Sequence, residues 1–216
     1  MDYATRESLA EDLRRLGVPP GGVLLVHAGY KSLGFVAGGP QAAVEALLDV
    51  AGTLVVPTHT PDNTDPAFWS HPPVPEAWWD GIRRHTPGFD PARTPATHWM
   101  GRLAELVRTW PDALRSNHPQ VSFAAVGPRA AEITAGHRLD DGLGDESPLG
   151  AVHRLDGHVL LLGCGHDSNT SLHLAETRLA VAPRHETGSS VLAPDGTSHW
   201  TTWTEVDVDE EDFERL

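Results

Sequence analysis

The residues best suited to chemistry in this sequence lie between Gly163 and Glu176. The four apolar residues before them, 159–162, predict a buried strand, and α/β proteins bind ligands beside the carboxyl ends of such strands. His173 and Glu176 are three residues apart, so on a helix both would lie on one face. A histidine with a carboxylate nearby is suited to act as a general base near neutral pH. A histidine that belongs to the core is the alternative interpretation.

The same segment does not match the spacing of common cofactor and metal sites. The glycines at 163 and 165 lack the third glycine of a dinucleotide-binding loop, because Ser168 stands in its place. His166, Asp167 and His173 are conceivable zinc ligands, but their spacing is not that of a zinc-binding helix and no cysteine pair accompanies them. We therefore expect no metal.

A second candidate is the loop that follows the apolar run at 23–26. His27 stands at the end of this predicted strand, and Lys31, Ser32 and Gly34 follow in a loop of small residues. Backbone N–H groups in such a loop, together with a lysine, can hold a phosphate. The spacing is neither that of a P-loop nor that of a dinucleotide fingerprint, so a plain strand-to-helix connection is the alternative.

Three further polar segments are candidates for ligand binding. Asp62 and Asp65 could bind ammonium groups of a substrate, or could form turns before a proline. His118 could face a ligand, or could belong to a turn after a capped helix. Glu146 precedes Ser147 and a proline, a pattern typical of a helix start, so it could serve only the cap and the helix dipole.

Composition restricts the class of partner. The 216 residues carry a formal net charge of −14, which disfavours nucleic acid, because phosphate contacts need Lys and Arg. It suits a small cationic substrate, although the acidic residues after 204 are equally well explained as a solvated face. The sequence has no apolar run long enough to span a membrane and no visible secretory signal. With a single cysteine, Cys164, it predicts a cytoplasmic protein.

Hydrophobic periodicity predicts one α/β domain covering residues 1–216. Residues 5–16 predict an amphipathic helix, and 23–57 predict a strand–helix–strand unit with buried parallel strands. The other predicted elements are helices at 97–110, 129–135 and 149–155, strands at 121–127 and 159–162, and a hairpin around Pro194-Asp195-Gly196. Residues 58–98 interrupt this pattern with many prolines and tryptophans, and we interpret them as a functional insertion or lid.

Together these segments resemble the aminoglycoside N3-acetyltransferase family from about Leu9 to Phe213. The motifs that carry the resemblance are Val26-His27, Ser32-Leu33-Gly34, Gly52 to Thr58, Asp65-Pro66, Phe89-Asp90-Pro91, Arg115 to Pro119, Ser122 to Ala125, Glu146 to Leu149, and Leu161 to Glu176. The resemblance implies a three-layer α/β/α sandwich with a mixed, largely parallel sheet. It also implies acetyl-coenzyme A as donor, a 2-deoxystreptamine aminoglycoside as acceptor, and antibiotic resistance.

The resemblance assigns roles to residues at matching positions. His173 is the general base, oriented by a carboxylate from the late tryptophan-bearing strand, with Glu205 first and Asp207 second. Pantetheine and phosphates are held by Lys31, Ser32, Leu33, Gly34, Ser122 and Phe123, and His27 lies near the thioester. The acidic residues expected on the acceptor side are Asp62, Asp65, Asp90, Glu146, Asp167 and Glu176.

Two departures from the family pattern affect these expectations. Ala28 and Gly29 occupy positions where relatives often carry two serines, so a hydroxyl contact is lost there. The chain ends at Leu216, where relatives usually continue, so a shortened form is one interpretation. Other functions stay open at this point: a metal-dependent hydrolase using His59, Asp62, His166, Asp167 and His173, or a protein that binds cationic drugs without chemistry. A homodimer is a possible assembly.

Overall fold

The computed structural model of this chain describes residues 3–209 and 213. The helices are α1 (Arg6–Arg15), α2 (Gly39–Val50), α3 (Trp79–His85), α4 (Gly101–Arg108), α5 (Ala130–Thr134), α6 (Pro148–Arg154) and α7 (His173–Thr177). The strands are β1 (Val23–Ala28), β2 (Thr53–Pro57), β3 (Leu114–Arg115), β4 (Phe123–Val126), β5 (His158–Leu162), β6 (Arg184–Leu192) and β7 (Ser198–Val206). Each predicted helix and strand is therefore present.

Five strands form one mixed sheet in the order β3-β4-β2-β1-β5. β1 pairs in parallel with β2 on one side and with β5 on the other, as the strand–helix–strand prediction requires. β4 is antiparallel to both of its neighbours, so it alone runs against the common direction. The sheet is thus mostly parallel, and the carboxyl ends of β1, β2 and β5 share one edge.

Alternating residues of β1 supply hydrophobic clusters on the two faces of the sheet. Leu24 and Val26 belong to a cluster with buried residues of α1, α2 and α4. Val23 and Leu25 belong to a second cluster with residues of α5 and α6. Each buried Leu or Val side chain removed from water contributes roughly 1.5–3 kcal/mol to the free energy of folding. Packing on both faces of the sheet therefore stabilises the edge that carries the site.

The prediction that β5 is a buried strand was wrong. Val159 is 42% exposed and His158 is also exposed. β5 lies at the end of the sheet, and among the described strands its partner is β1. An apolar run reveals a strand but not its place in the strand order, so the edge position was not visible in the sequence.

The predicted helix start at Ser147 and Pro148 is confirmed. Ser147 Oγ accepts a hydrogen bond from the backbone N–H of Leu149 at 3.1 Å, and Pro148 occupies the first turn. Proline suits this position because its missing N–H would have no partner in the helix.

The proline- and tryptophan-rich segment 58–98 is held against the sheet by the half-buried Arg115. The guanidinium donates to the carbonyl oxygens of Pro91 and Thr94 and, at 2.7 Å, to that of Thr58.

The predicted hairpin is confirmed as the antiparallel pair β6 and β7, and Phe89 bridges to Val191 in it. Within residues 3–209 and 213, no helix is long and apolar enough to cross a membrane.

Candidate active site

A cleft of about 540 Å³ opens where β1, β2 and β5 end. This is the place where open α/β sheets bind ligands, and the size is typical of small-molecule sites. Its polar lining includes His27, His59, Cys164, Asp167, Thr170 and His173. Sequence analysis anticipated His27, Asp167 and His173 here.

His173 and Glu176 form a close pair at this cleft. Nδ1 of His173 lies 2.5 Å from Oε2 of Glu176, and the imidazole is 8% exposed. Because an ionised carboxylate only accepts hydrogen bonds, Nδ1–H is the donor, and in a neutral imidazole Nε2 is then the nitrogen that carries the lone pair. The two residues are three apart on the short helix α7, as their spacing predicted. The arrangement is that of a general base whose orientation a carboxylate fixes.

Residues distant in sequence support this pair. The backbone N–H of Asp209 donates to Glu176 Oε1 at 3.4 Å. The ring of Phe213, itself 8% exposed, lies with its centroid 5.0 Å from that of His173. An apolar ring over the imidazole excludes water, and in a less polar environment the interaction between imidazole and carboxylate is stronger.

Glu205, expected as the carboxylate that orients His173, has other partners. Its Oε2 accepts a hydrogen bond from Trp203 Nε1 at 3.0 Å, and its Oε1 lies 3.7 Å from His185 Nε2. The reason is strand register, since Glu205 stands opposite His185 in the β6–β7 hairpin. Burial raises the pKa of Glu205. Asp207, the second choice, lies 3.6 Å from His185 Nδ1, so the carboxylate at His173 is Glu176.

Two further imidazoles line the cleft beside His173. Nε2 of His27 and Nε2 of His59 are both buried and have no hydrogen-bond partner among the described residues. Burial, with a smaller contribution from His173, lowers the pKa of His27 to about 4. Burial, with a smaller contribution from His27, lowers the pKa of His59 to about 3. Both rings are therefore neutral at pH 7 and have unused hydrogen-bonding capacity.

The loop after β1 begins at the wall of the cleft. Gly29 lines the cleft, and a short 3₁₀ helix follows at Tyr30–Leu33. Lys31 and Ser32 are exposed, so both are accessible to an anion. A Cβ atom at Gly29 would lie 2.4 Å from the carbonyl oxygen of Gly163, so glycine is required for this close approach of two backbones.

Three of the expected coenzyme A contacts lie away from this cleft or have little access to it. Leu33 lines a separate apolar groove beside α1 and α2. Ser122 and Phe123 are fully buried, and Ser122 Oγ donates to the carbonyl of Thr58 at 3.0 Å. Ser122 precedes β4 and Phe123 begins it, and both side chains pack against structural partners. Gly34 ends the 3₁₀ helix with φ +69°, a conformation that favours glycine.

The expected acidic residues divide into those that line cavities and those that are paired or lie on the surface. Asp167 lines the cleft and Asp62 lines a neighbouring pocket. Asp65 is paired with Arg83 at 2.8 Å, and Asp90 lies 3.4 Å from Arg93. Glu146 lies on the surface beside Asp141, which accepts its backbone N–H. The structure therefore does not gather these residues into one acidic wall.

The role of His118 as a ligand contact is not favoured either. Its Nδ1 accepts the backbone N–H groups of Gln120 and Val121, and its ring lies 4.7 Å from that of His137. His118 is completely buried. It is a structural histidine within the core of the molecule.

The side chains of the hydrolase alternative do not form a metal-binding set. Across residues 3–209 and 213, no group of three or more His, Cys, Asp or Glu side chains is placed to hold a metal ion. Asp62 lines the neighbouring pocket rather than the cleft that His59 and His173 share.

Sequence analysis named His59 only as a ligand in the hydrolase alternative, and it gave no role to Trp99 or Phe213. His59 follows the end of β2 much as His27 ends β1, and this parallel was a usable signal. Trp99 lies on a short 3₁₀ helix, His98–Met100, at the start of the segment predicted as a helix, where the periodicity gave it no role. Phe213 reaches His173 across 40 residues of chain, so only tertiary structure reveals the contact.

Fold and cleft define an α/β enzyme with a histidine–carboxylate pair at the sheet edge, and comparison with known proteins specifies its class. The family model described as Aminoglycoside 3-N-acetyltransferase matches residues 25–216. The aminoglycoside N(3')-acetyltransferase-like protein YokD of Bacillus subtilis (strain 168) is 40% identical over 215 residues, or 98% of this chain and 79% of YokD. The YokD crystal structure superposes with a TM-score of 0.96, covering 100% of this chain and 80% of that one.

Two other solved structures are similar and contain ligands. The complex of AAC-IIIb with CoASH gives a TM-score of 0.85 at 33% identity, covering 99% of this chain and 82% of AAC-IIIb. Sisomicin-bound AAC-VIa gives a TM-score of 0.82 at 30% identity, covering 95% of this chain and 77% of AAC-VIa. The chain belongs to the aminoglycoside 3-N-acetyltransferase family and is an acyltransferase.

Proposed function

We propose that this protein transfers the acetyl group of acetyl-coenzyme A to the 3-amino group of a 2-deoxystreptamine aminoglycoside and so confers antibiotic resistance. The observation that carries the proposal is the His173–Glu176 pair at a cleft that has the size of a ligand site. Family membership supports the reaction class, and AAC-VIa, which was solved with sisomicin bound, supports the acceptor class.

His173 serves as the general base in this proposal. Glu176 accepts the hydrogen bond from Nδ1–H of His173 and so fixes the ring. Nε2 of His173 then accepts a proton from the bound amine while the amine nitrogen attacks the thioester carbonyl carbon. The C–S bond breaks as the amide forms, and the proton leaves with the sulfur as free coenzyme A thiol. Positioned acid–base groups of this kind accelerate reactions by about 10²- to 10⁴-fold.

The chain's own residues fit the donor substrate. Neutral His27 and His59 have buried Nε2 atoms that find no hydrogen-bond partner within residues 3–209 and 213, which suits a polar carbonyl group brought into the cleft. Lys31 and the exposed backbone of the following loop provide positive charge and N–H groups for phosphates. AAC-IIIb, a relative with a TM-score of 0.85, was solved with CoASH.

Attack of the amine directly on the thioester is favoured over an acetyl-enzyme at Cys164. This thiol lines the cleft, and burial raises its pKa. Only the thiolate is a strong nucleophile, so a thiol kept protonated at neutral pH is a poor acyl acceptor. Its Sγ also donates to the carbonyl of His27 at 3.3 Å.

The proposal includes a single domain over residues 1–216 with a three-layer α/β/α arrangement. Helix-bearing core clusters on both faces of the sheet support the three layers. The role of segment 58–98 as a lid, the cytoplasmic location and the homodimer remain predictions.

Thiol release from acetyl-coenzyme A with an aminoglycoside panel tests this function. We expect drug-dependent release that is insensitive to chelator, with the acetyl group on the 3-amino nitrogen in the product's NMR spectrum. Release abolished by EDTA would favour the metal-dependent hydrolase. Drug binding by calorimetry that survives His173→Ala and does not depend on acetyl-coenzyme A, without any thiol release, would favour the non-catalytic binder.

A further inference from the structure

Cys164, the single cysteine of the sequence, lies at the wall of the cleft that contains His173. Its Sγ donates to the backbone carbonyl of His27 at 3.3 Å, and the residue is partly exposed. A Cβ atom at Gly29 would lie 3.5 Å from Cβ of Cys164, so the cysteine packs against the start of the loop that follows β1. The thiol is therefore accessible from the cleft and adjacent to the loop proposed to hold the phosphates.

The same part of the cleft has a polar group that a ligand can satisfy. Nε2 of His27 finds no hydrogen-bond partner within residues 3–209 and 213, and His27 is only 3% exposed. A buried polar atom without a partner is costly, so it indicates the position of a ligand atom. In the proposed function this ligand atom belongs to the thioester of acetyl-coenzyme A. We therefore expect the sulfur of bound coenzyme A close to Sγ of Cys164.

We propose that Cys164 is a modification site at which coenzyme A disulfide forms a mixed disulfide with the enzyme and blocks the cleft. The Cys164 thiolate attacks one sulfur of the bound disulfide, and the S–S bond of that disulfide breaks. One coenzyme A half stays on Cys164 through the new S–S bond. The other half leaves as a thiolate and takes up the proton that Cys164 gave up. Coenzyme A disulfide is itself the oxidant, so the step needs no other electron acceptor.

The environment of Cys164 favours a bound disulfide over one in solution. Burial raises the pKa of the thiol, which slows attack on any disulfide, because only the thiolate is a strong nucleophile. An acetyl-enzyme would have to form in every catalytic cycle, whereas an inactivating disulfide forms once and persists. A disulfide retained in the cleft has a high effective concentration beside the thiol. We therefore expect selectivity for coenzyme A disulfide over glutathione disulfide.

Intact-protein mass spectrometry of the wild type with coenzyme A disulfide tests the inference. We expect one coenzyme A per chain, added at least about tenfold faster than glutathione from glutathione disulfide at the same concentration. Acetyl-coenzyme A should slow the modification, because it occupies the same cleft. After excess reagent is removed, the modified protein should form no acetylated sisomicin until dithiothreitol releases the coenzyme A.

Ala131→Cys in a Cys164→Ser background is the matched control. Ala131 is exposed on α5 and does not line the cleft. Its thiol should react with the two disulfides at similar rates, without protection by acetyl-coenzyme A. The modified control should acetylate sisomicin at the rate of the same protein before treatment.

The inference is overturned if coenzyme A disulfide leaves Cys164 unmodified, or if glutathione disulfide reacts equally fast and acetyl-coenzyme A gives no protection. A modified wild type that acetylates sisomicin at its untreated rate would also overturn it.

This inference rests on the proposed function, because it assumes that coenzyme A binds with its sulfur in this cleft. Acetylation of sisomicin by the untreated wild type separates the two. A wild type that acetylates sisomicin but forms no adduct contradicts the inference alone. A wild type that forms the adduct with protection by acetyl-coenzyme A, yet acetylates no aminoglycoside, contradicts the proposed function and supports the modification site.

Discussion

Nδ1 of His173 lies 2.5 Å from Oε2 of Glu176, whereas Glu205 accepts a hydrogen bond from Trp203. The pair therefore comes from one helical turn, and the segment after β7 contributes the Asp209 backbone N–H that reaches Glu176. The assignment of the orienting carboxylate to Glu176 has a direct kinetic consequence.

Glu176→Gln should lower kcat by about 10- to 100-fold, because the amide no longer stabilises the imidazolium that forms as the amine attacks. Glu205→Gln should stay within threefold of the wild type. Steady-state thiol release with sisomicin measures both. The opposite order of the two variants would return the orienting role to Glu205.

Phe213 should affect catalysis by covering the imidazole of His173. We expect Phe213→Ala to reduce kcat about five- to tenfold with little change in either KM, because the imidazole loses its cover and the pair becomes exposed to water. Phe213→Leu keeps an apolar side chain over the imidazole and should recover most of kcat. Equal losses of kcat in both variants would contradict this role of Phe213.

Gly29 should not tolerate the serine that relatives often carry at its position. The added Cβ would lie 2.4 Å from the Gly163 carbonyl oxygen, and relief of such overpacking typically costs about 1–3 kcal/mol. Urea unfolding of Gly29→Ser should show this loss of unfolding free energy. Gly81→Ser is the matched control, because a Cβ there meets nothing within 4 Å. A Gly29→Ser protein as stable as the control would mean that the two backbones separate easily.

Much of the sheet was predictable because it depends on local patterns. Apolar runs located β1 and β2, and the helix between them required a parallel pairing. The exposure of β5 was not predictable, since it depends on strand order. The same distinction applies to the site. The spacing of His173 and Glu176 is a local signal, but the partners of Glu205 depend on the β6–β7 register, and the contact of Phe213 on a long-range fold.

The buried pair His118 and His137 should make the protein acid-sensitive. Burial lowers the pKa of His137 to about 4 and holds the pKa of His118 well below its usual range. Both rings are neutral when folded, so their contribution is complete above pH 6.5 and is lost as pH falls from 6.5 toward 4. For His137 this amounts to about 3 kcal/mol.

Urea unfolding of the wild type between pH 7 and 4.5 measures that loss, with His137→Gln as comparison. The variant is expected to be less stable at pH 7, because Ser116 and Gly142 lose the partner that His137 supplies. Its unfolding free energy should fall less steeply with acid than that of the wild type. Equal slopes would show that the other titrating groups account for the acid sensitivity.

The most direct test of the proposed mechanism is sisomicin-dependent thiol release by His173→Ala beside the wild type, with circular dichroism and acetyl-coenzyme A binding as controls for the fold. We predict a loss of at least about 10²-fold in kcat, with both substrates still bound and partial recovery when imidazole is added. A folded His173→Ala protein that turns over at the wild-type rate would contradict the role of His173 as the general base.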